Sequence, residues 1–277
     1  MKKQILILSL IITTITSFAQ QEPIISNYLS NLQLINTAAT GINKNTEIKL
    51  LTKKHFIGID EKNLNFQTLT FALSNENYSM GINLSNDIFG NTRAIKMGVT
   101  YAYHLKISDN NNLAFAITPK FIQFGMNQSD YVYFDFNDNL ITDAPENKLV
   151  FDADFGTIFY SNKIIAGLSI KNLFEPNVSL AANMSNENKI NRLIYLTTAY
   201  SHKINQTMII QPSALISYTN NLTNINVGSR FHFNNNFWLG AAYNTSNNFS
   251  AVFGINYLNY NFSYSYDHSI STLSTNT

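Results

Sequence analysis

Tyr260-Asn261-Phe262-Ser263-Tyr264-Ser265-Tyr266 decides the fold. Aromatic side chains occupy every second position, with small polar ones between them. Successive strand side chains point to opposite faces, so strict alternation gives a ribbon with one apolar and one polar face. The same period recurs through most of the chain. Met97, Val99, Tyr101, Tyr103, Leu105 and Ile107 alternate with Gly98, Thr100, Ala102, His104 and Lys106. Phe249, Ala251, Phe253, Ile255 and Tyr257 alternate with Ser250, Val252, Gly254 and Asn256. Similar runs lie at Tyr78–Leu84 and Ile225–Phe233, and weaker ones near 46–56, 64–73, 112–126, 149–160, 163–172, 190–203, 207–219 and 236–245. Each is about the length of a tilted membrane strand.

The first residues set the compartment. Lys2 and Lys3 precede an apolar run from Ile5 to Ile15, and Ser17-Phe18-Ala19 reads as a small-x-small cleavage site. Residues 1–19 are therefore expected to be a signal peptide. An N-terminal anchor is the competing reading, but the run is too short to span a bilayer comfortably. The chain contains no cysteine, so no disulfide supports it after export. Stability must come from the sheet.

Composition agrees. Charged residues are 13% of the chain, against about 25% in a typical soluble domain. A net charge of +1 gives no field that would select nucleic acid. Asn and Ser supply polarity instead. Connections such as Asn110-Asn111-Asn112, Asn220-Asn221, Asn234-Asn235-Asn236 and Asn247-Asn248 are short. Asn tolerates the left-handed backbone that tight hairpins need. An all-β antiparallel transmembrane barrel follows, apolar outward to lipid and polar inward, over residues 45–277. The small inward residues imply a narrow interior.

Two regions lack the two-residue period. Residues 20–44 precede the first strand and are expected to form a plug in the lumen or a periplasmic contact. Residues 127–148 form the longest connection and carry Asp130, Asp135, Asp138, Asp143 and Glu146, with Asp152 and Asp154 just beyond. Acidic loops can bind calcium, but this spacing fits no twelve-residue calcium loop. A solvated surface loop is the better reading. The histidines His55, His104, His202, His232 and His268 show no metal-type spacing. No phosphate-binding loop or nucleophile elbow occurs. No catalytic residue, cofactor or metal site is therefore assigned. In Asn86-Asp87-Ile88-Phe89-Gly90, Asp87 and Gly90 read as a turn closing a strand.

Weak motifs then recur in a fixed order. Gln21-Glu22-Pro23 is followed by Ser26, Tyr28, Asn31, Ile35-Asn36, Ala38 and Gly41. Later come Phe56-Ile57-Gly58, Gln67-Thr68-Leu69, Asn86-Asp87 with Gly90, and Tyr101-Ala102-Tyr103. Phe155-Gly156, Gly167-Leu168-Ser169 and Asn172-Leu173 with Pro176 complete the set. This ordered set resembles the PorP/SprF family of type IX secretion system outer-membrane proteins of Bacteroidetes. The chain departs from that pattern at Leu32 and Thr37, where the family usually has Pro, and at Ala39, where it has Tyr. In the family, a segment like Tyr266–Ser274 is followed by one final strand. About fourteen strands are thus expected, with the last apparently missing from this chain.

The resemblance implies a non-enzymatic component that aids secretion or surface attachment of a partner protein such as a gliding adhesin. Other type IX secretion components and outer-membrane lipid would be further partners. It places the acidic residues Asp130, Asp135, Asp138, Asp143 and Glu146 as a candidate partner-binding surface only by their position on the longest loop. Two alternatives remain open. One is a small-solute or fatty-acid channel on a similar barrel. The other is a secreted carbohydrate-binding β-sandwich.

Overall fold

The computed structural model describes residues 25–55, 64–126, 146–180, 188–234 and 236–270. The expected signal peptide and the residues after 270 lie outside the described residues, as do Asp130, Asp135, Asp138 and Asp143 of the acidic connection.

Alternating segments become strands in sequence order. They are β1 (Glu47–Lys54), β2 (Asn65–Ser74), β3 (Tyr78–Phe89), β4 (Thr92–Ser108), β5 (Asn111–Met126), β6 (Glu146–Ser161) and β7 (Ile164–Lys171). β8 (Leu193–Tyr200), β9 (His202–Lys203), β10 (Met208–Thr219), β11 (Leu222–Phe233), β12 (Phe237–Asn244), β13 (Asn248–Tyr257) and β14 (Tyr260–Ser269) follow. Among the described residues every ladder is antiparallel between neighbours, and the fourteen strands form one sheet. This single rolled meander replaces the two packed sheets that a sandwich would require.

The strand count hides a break. β9 continues β8, and both pair with β10. The interruption falls opposite Gln211 and Pro212, between the pairs Ser213↔Ala199 and Ile210↔His202. Proline has no N–H to donate to a ladder. Pro119 leaves a similar gap: β4 and β5 pair at Gly98↔Lys120 and again at Tyr101↔Ile117, with no pairing between. The expected strand at 190–203 is thus one passage of chain divided by the neighbouring proline.

Outward faces are apolar and exposed, as in Met80, Ile82 and Leu84 on β3 and Leu239 on β12. Aromatic residues gather at both rims. Tyr78, Tyr103 and Tyr257 lie near one, and Phe89, Tyr218 and Tyr243 near the other. An apolar band between aromatic belts is the outer surface of a membrane barrel. Hairpins tighten on asparagine where left-handed backbone is needed, with φ +42° at Asn220, +65° at Asn221, +48° at Asn234 and +60° at Asn247.

Two boundaries differ from expectation. Asn86 and Asp87 lie within β3, paired with Ile95 and Ala94, and only Gly90 (φ +59°) and Asn91 make the turn. Near a rim the strand leaves the apolar band, so polar residues there need not signal a turn. Likewise β6 begins at Glu146, opposite Met126, which shortens the acidic connection to 127–145.

The core lies inside the ring. Ile25, Tyr28, Leu32, Ile35, Ala38 and Ala39 pack on inward side chains that include Phe66, Ala102, Ala114, Ala116, Ile158 and Leu215. Two 3₁₀ turns, Tyr28–Leu34 and Thr37–Ala39, give this segment its shape.

Candidate functional site

The segment from Ile25 to Lys44 is wired to strands on many sides of the lumen. Asn31 donates from Nδ2 to Thr70 Oγ1 on β2 at 3.2 Å, and Gln33 from Nε2 to Asn83 Oδ1 on β3 at 2.9 Å. The Thr37 hydroxyl meets Thr118 on β5 and Thr100 on β4. Asn36 donates from Nδ2 to the carbonyls of Thr157 on β6 at 2.9 Å and Leu168 on β7 at 3.2 Å. Its Oδ1 accepts from the Ala38 amide at 2.9 Å, and Ser169 donates from Oγ to the Ile35 carbonyl at 2.6 Å. Asn27 donates to Ser263 on β14 at 3.0 Å and accepts from Arg230 Nη2 on β11 at 2.6 Å. Buried polar groups are tolerated when hydrogen-bonded, and the inward Thr, Ser and Asn of the strands supply the partners. Burial also pushes the Tyr28 phenol above its ordinary pKa.

Glycines make the room. A Cβ at Gly81 would stand 2.9 Å from Gln33 Nε2, and one at Gly167 2.6 Å from Asn36 Nδ2. A Cβ at Gly156 would collide with Asn36 outright. The inward glycines of β3, β6 and β7 therefore shape a seat for the N-terminal segment.

Two further clusters line the lumen. Arg230 lies 4.4 Å over the Trp238 ring, and Trp238 fills the space left by Gly254. Elsewhere, buried Lys120 donates from Nζ to Asp154 Oδ1 at 2.5 Å and to Asn172 Oδ1 at 2.7 Å, with Asp152 Oδ2 at 3.8 Å. Asp152 accepts from the backbone amides of Ala153 at 2.7 Å and Phe174 at 3.0 Å. Asn172 has φ +59°, and its amide donates to Asp154 at 2.9 Å. This cluster ties the connection after β7 to the barrel wall. Arg192 holds the other end of that connection, donating to the Leu173 carbonyl at 2.7 Å and facing Glu175 at 3.6 Å. A cavity of about 80 Å³ lies between this wall and the N-terminal segment, lined among others by Gln33, Thr37, Lys96, Lys120, Lys171 and Tyr195.

The histidines are dispersed. His104 is buried, with Nε2 3.0 Å from Ser79 Oγ and Nδ1 3.0 Å from the Tyr160 hydroxyl. Among the described residues no three His, Asp or Glu converge as metal ligands. Of the expected site residues, Asp130, Asp135, Asp138 and Asp143 lie outside the described residues. Asn86 and Asp87 stand on β3, and Arg93 donates to Asn86 Oδ1 at 2.7 Å. Glu146 opens β6. The Lys120–Asp154–Asn172 cluster was not singled out from sequence. Strand parity could have found it, because Lys120, Asp152 and Asp154 all fall on inward positions of adjacent strands.

A rolled antiparallel sheet with a lipid-facing band and an occupied lumen defines a membrane β-barrel protein. The chain matches the family model described as type IX secretion system membrane protein PorP/SprF over residues 17–277. It belongs to the PorP/SprF family. Among solved structures it is similar to the CymD monoaromatic hydrocarbon channel, at 10% identity and a TM-score of 0.48 over 80% of this chain and 82% of that one. It is also similar to a Pseudomonas aeruginosa FadL homologue, at 10% identity and a TM-score of 0.42 over 74% and 69%. No curated protein matches the sequence.

Proposed function

We propose that this protein is a non-enzymatic outer-membrane component that aids secretion or surface attachment of a partner protein, such as an adhesin, through the type IX system. Family membership supports the system. The observation that favours protein contact over solute passage is the occupied lumen. Residues 25–44 hydrogen-bond to β2 through β7, β11 and β14, leaving polypeptide where a solute path would run.

Sidedness follows from loop length. One rim carries the short turns 75–77, 109–110, 162–163 and 258–259. The other carries the longer connections 127–145 and 172–192. Outer-membrane barrels place short turns in the periplasm and longer loops outside. The acidic 127–145 connection, with Asp130, Asp135, Asp138 and Asp143, is then the outer contact surface, and the 25–44 segment closes the lumen as a plug. Deleting 127–145 is expected to leave a folded, heat-modifiable barrel while abolishing surface display of the partner. Display unchanged by the deletion would remove this loop from the function.

A further inference from the structure

One side of the lumen is almost without acids. From Leu193 to Thr277, which includes β8 to β14, the sequence has a single acidic residue, Asp267. That carboxylate already meets Lys53 on β1 at 2.6 Å. The lumen segment 25–44 has no acid at all. Arg230 nevertheless reaches inward from β11 on this side. Its Nη2 donates to Asn27 Oδ1 at 2.6 Å, and its guanidinium lies 4.4 Å over the Trp238 ring. Among the described residues no carboxylate pairs with it. A neutral amide oxygen and a ring face soften the charge without cancelling it. A largely enclosed cation is stable when an anion and hydrogen bonds match it.

A second group beside it is also unmatched. Tyr28 is the electrostatic neighbour of Arg230. It is 2% exposed, and among the described residues its hydroxyl has no hydrogen-bond partner. Buried hydroxyls are ordinarily hydrogen-bonded. A guanidinium presents its N–H donors in a planar fork that fits oxyanions, and the Asn27 oxygen takes only one edge of it. Positive charge and a phenolic donor thus converge where the protein supplies too few acceptors. Arg230 itself is half-buried and not sealed, so a small solute in the lumen mouth can reach it.

Place narrows what can fill the gap. Arg230 lies close to Phe233, where β11 ends at the short-turn rim. The turns beside it, 204–207, 234–236 and 258–259, carry no acid. The acidic 127–145 connection is at the opposite rim. We propose that Arg230 and Tyr28 form a binding site for a small oxyanion, a carboxylate or a phosphate. The anion accepts from the guanidinium edge that Asn27 does not use and from the Tyr28 hydroxyl, while Trp238 holds the guanidinium plane. The site stands on charge and hydrogen bonding alone and does not rest on the secretion reading.

Trp238 is the only tryptophan in the chain, so its emission reports this site. The full protein in detergent is titrated with sodium phosphate and, separately, with sodium acetate, at ionic strength held constant with sodium chloride. A saturable change in Trp238 emission is expected with at least one of them, and the two arms tell a phosphate from a carboxylate. Tyr28→Phe keeps the ring and removes only the unmatched hydroxyl. It should leave the urea midpoint unchanged and weaken binding roughly tenfold. Arg230→Lys keeps a cation and loses the fork, and should weaken binding by a similar factor, read by titration calorimetry because its Trp238 baseline differs. If Arg230→Lys does not fold, Tyr28→Phe decides. No change, or a change that never saturates, overturns the proposal. Undiminished affinity in Tyr28→Phe overturns it, because the anion then binds elsewhere. A lowered urea midpoint in Tyr28→Phe without anion overturns it too, because the hydroxyl then already has a partner. Binding seen only in Glu22→Gln would show the chain's own carboxylate at Arg230, and that also overturns it.

Discussion

At the scale of single residues, Asn36 is the pivot of the lumen. Its amide closes three hydrogen bonds, to Ala38, Thr157 and Leu168, and two glycines make its space. Each such bond contributes about 1 kcal/mol net, and burying an unmatched carbonyl costs more. Asn36→Ala is therefore expected to destabilise the barrel by roughly 2–3 kcal/mol, read as a lower urea midpoint in detergent. Gly167→Val removes no contact of its own but evicts the Asn36 side chain. It should raise protease cleavage within 25–44 while the sheet stays heat-modifiable. Lys120 tests a different physics. Removing it leaves Asp154 and Asp152 as buried acids without their cation. Lys120→Ala should cost on the order of 3–5 kcal/mol, and adding Asp154→Asn should restore part of that loss in the same unfolding measurement.

Elements are held by turn chemistry and by where proline falls. Asn220 and Asn221 both take positive φ between β10 and β11. A β-branched side chain is poorly accommodated there, and each residue forced into that region costs roughly 1–2 kcal/mol. Asn221→Val is expected to lower the unfolding midpoint by that much, whereas Asn221→Gly should leave it unchanged or slightly raised. Pro212 acts through a missing donor and not through strain. Its neighbours β8 and β9 stop and restart around it. Pro212→Val should join them into one ladder, seen as slower amide exchange at Tyr200, whereas Ser201 already donates to the Lys163 carbonyl at 2.7 Å and should not change. Unchanged exchange would mean that another feature breaks the strand.

For the whole molecule, the decisive property is that residues 25–44 pack against the inward face of the sheet. Tyr28, Leu32, Ile35 and Ala38 pack there against inward side chains of the strands, which should obstruct an ion path. The full protein is expected to be nearly silent in planar bilayers. Deleting 25–44 should open steady ion conductance, because the inward Thr, Ser and Asn would then face water. Conductance unaltered by the deletion would mean that other groups block the path and would weaken the plug reading.

Sequence by itself determined the strands and their facing. Period two is a local geometric fact, so Tyr260–Tyr266 and Met97–Ile107 announced strand, face and membrane without knowledge of any neighbour. Asparagine turns were legible for the same reason, since backbone preference is a property of the residue. Tertiary structure alone decided what those faces meet. Lys120, Asp152 and Asp154 are separate in sequence and are joined only by register. Asn36 finds the carbonyls of Thr157 and Leu168 more than a hundred residues away. The break opposite Pro212 arises because a proline on one strand withholds its bond from another. Hydrogen-bond partners across a sheet are set by long-range register, and no local pattern encodes them.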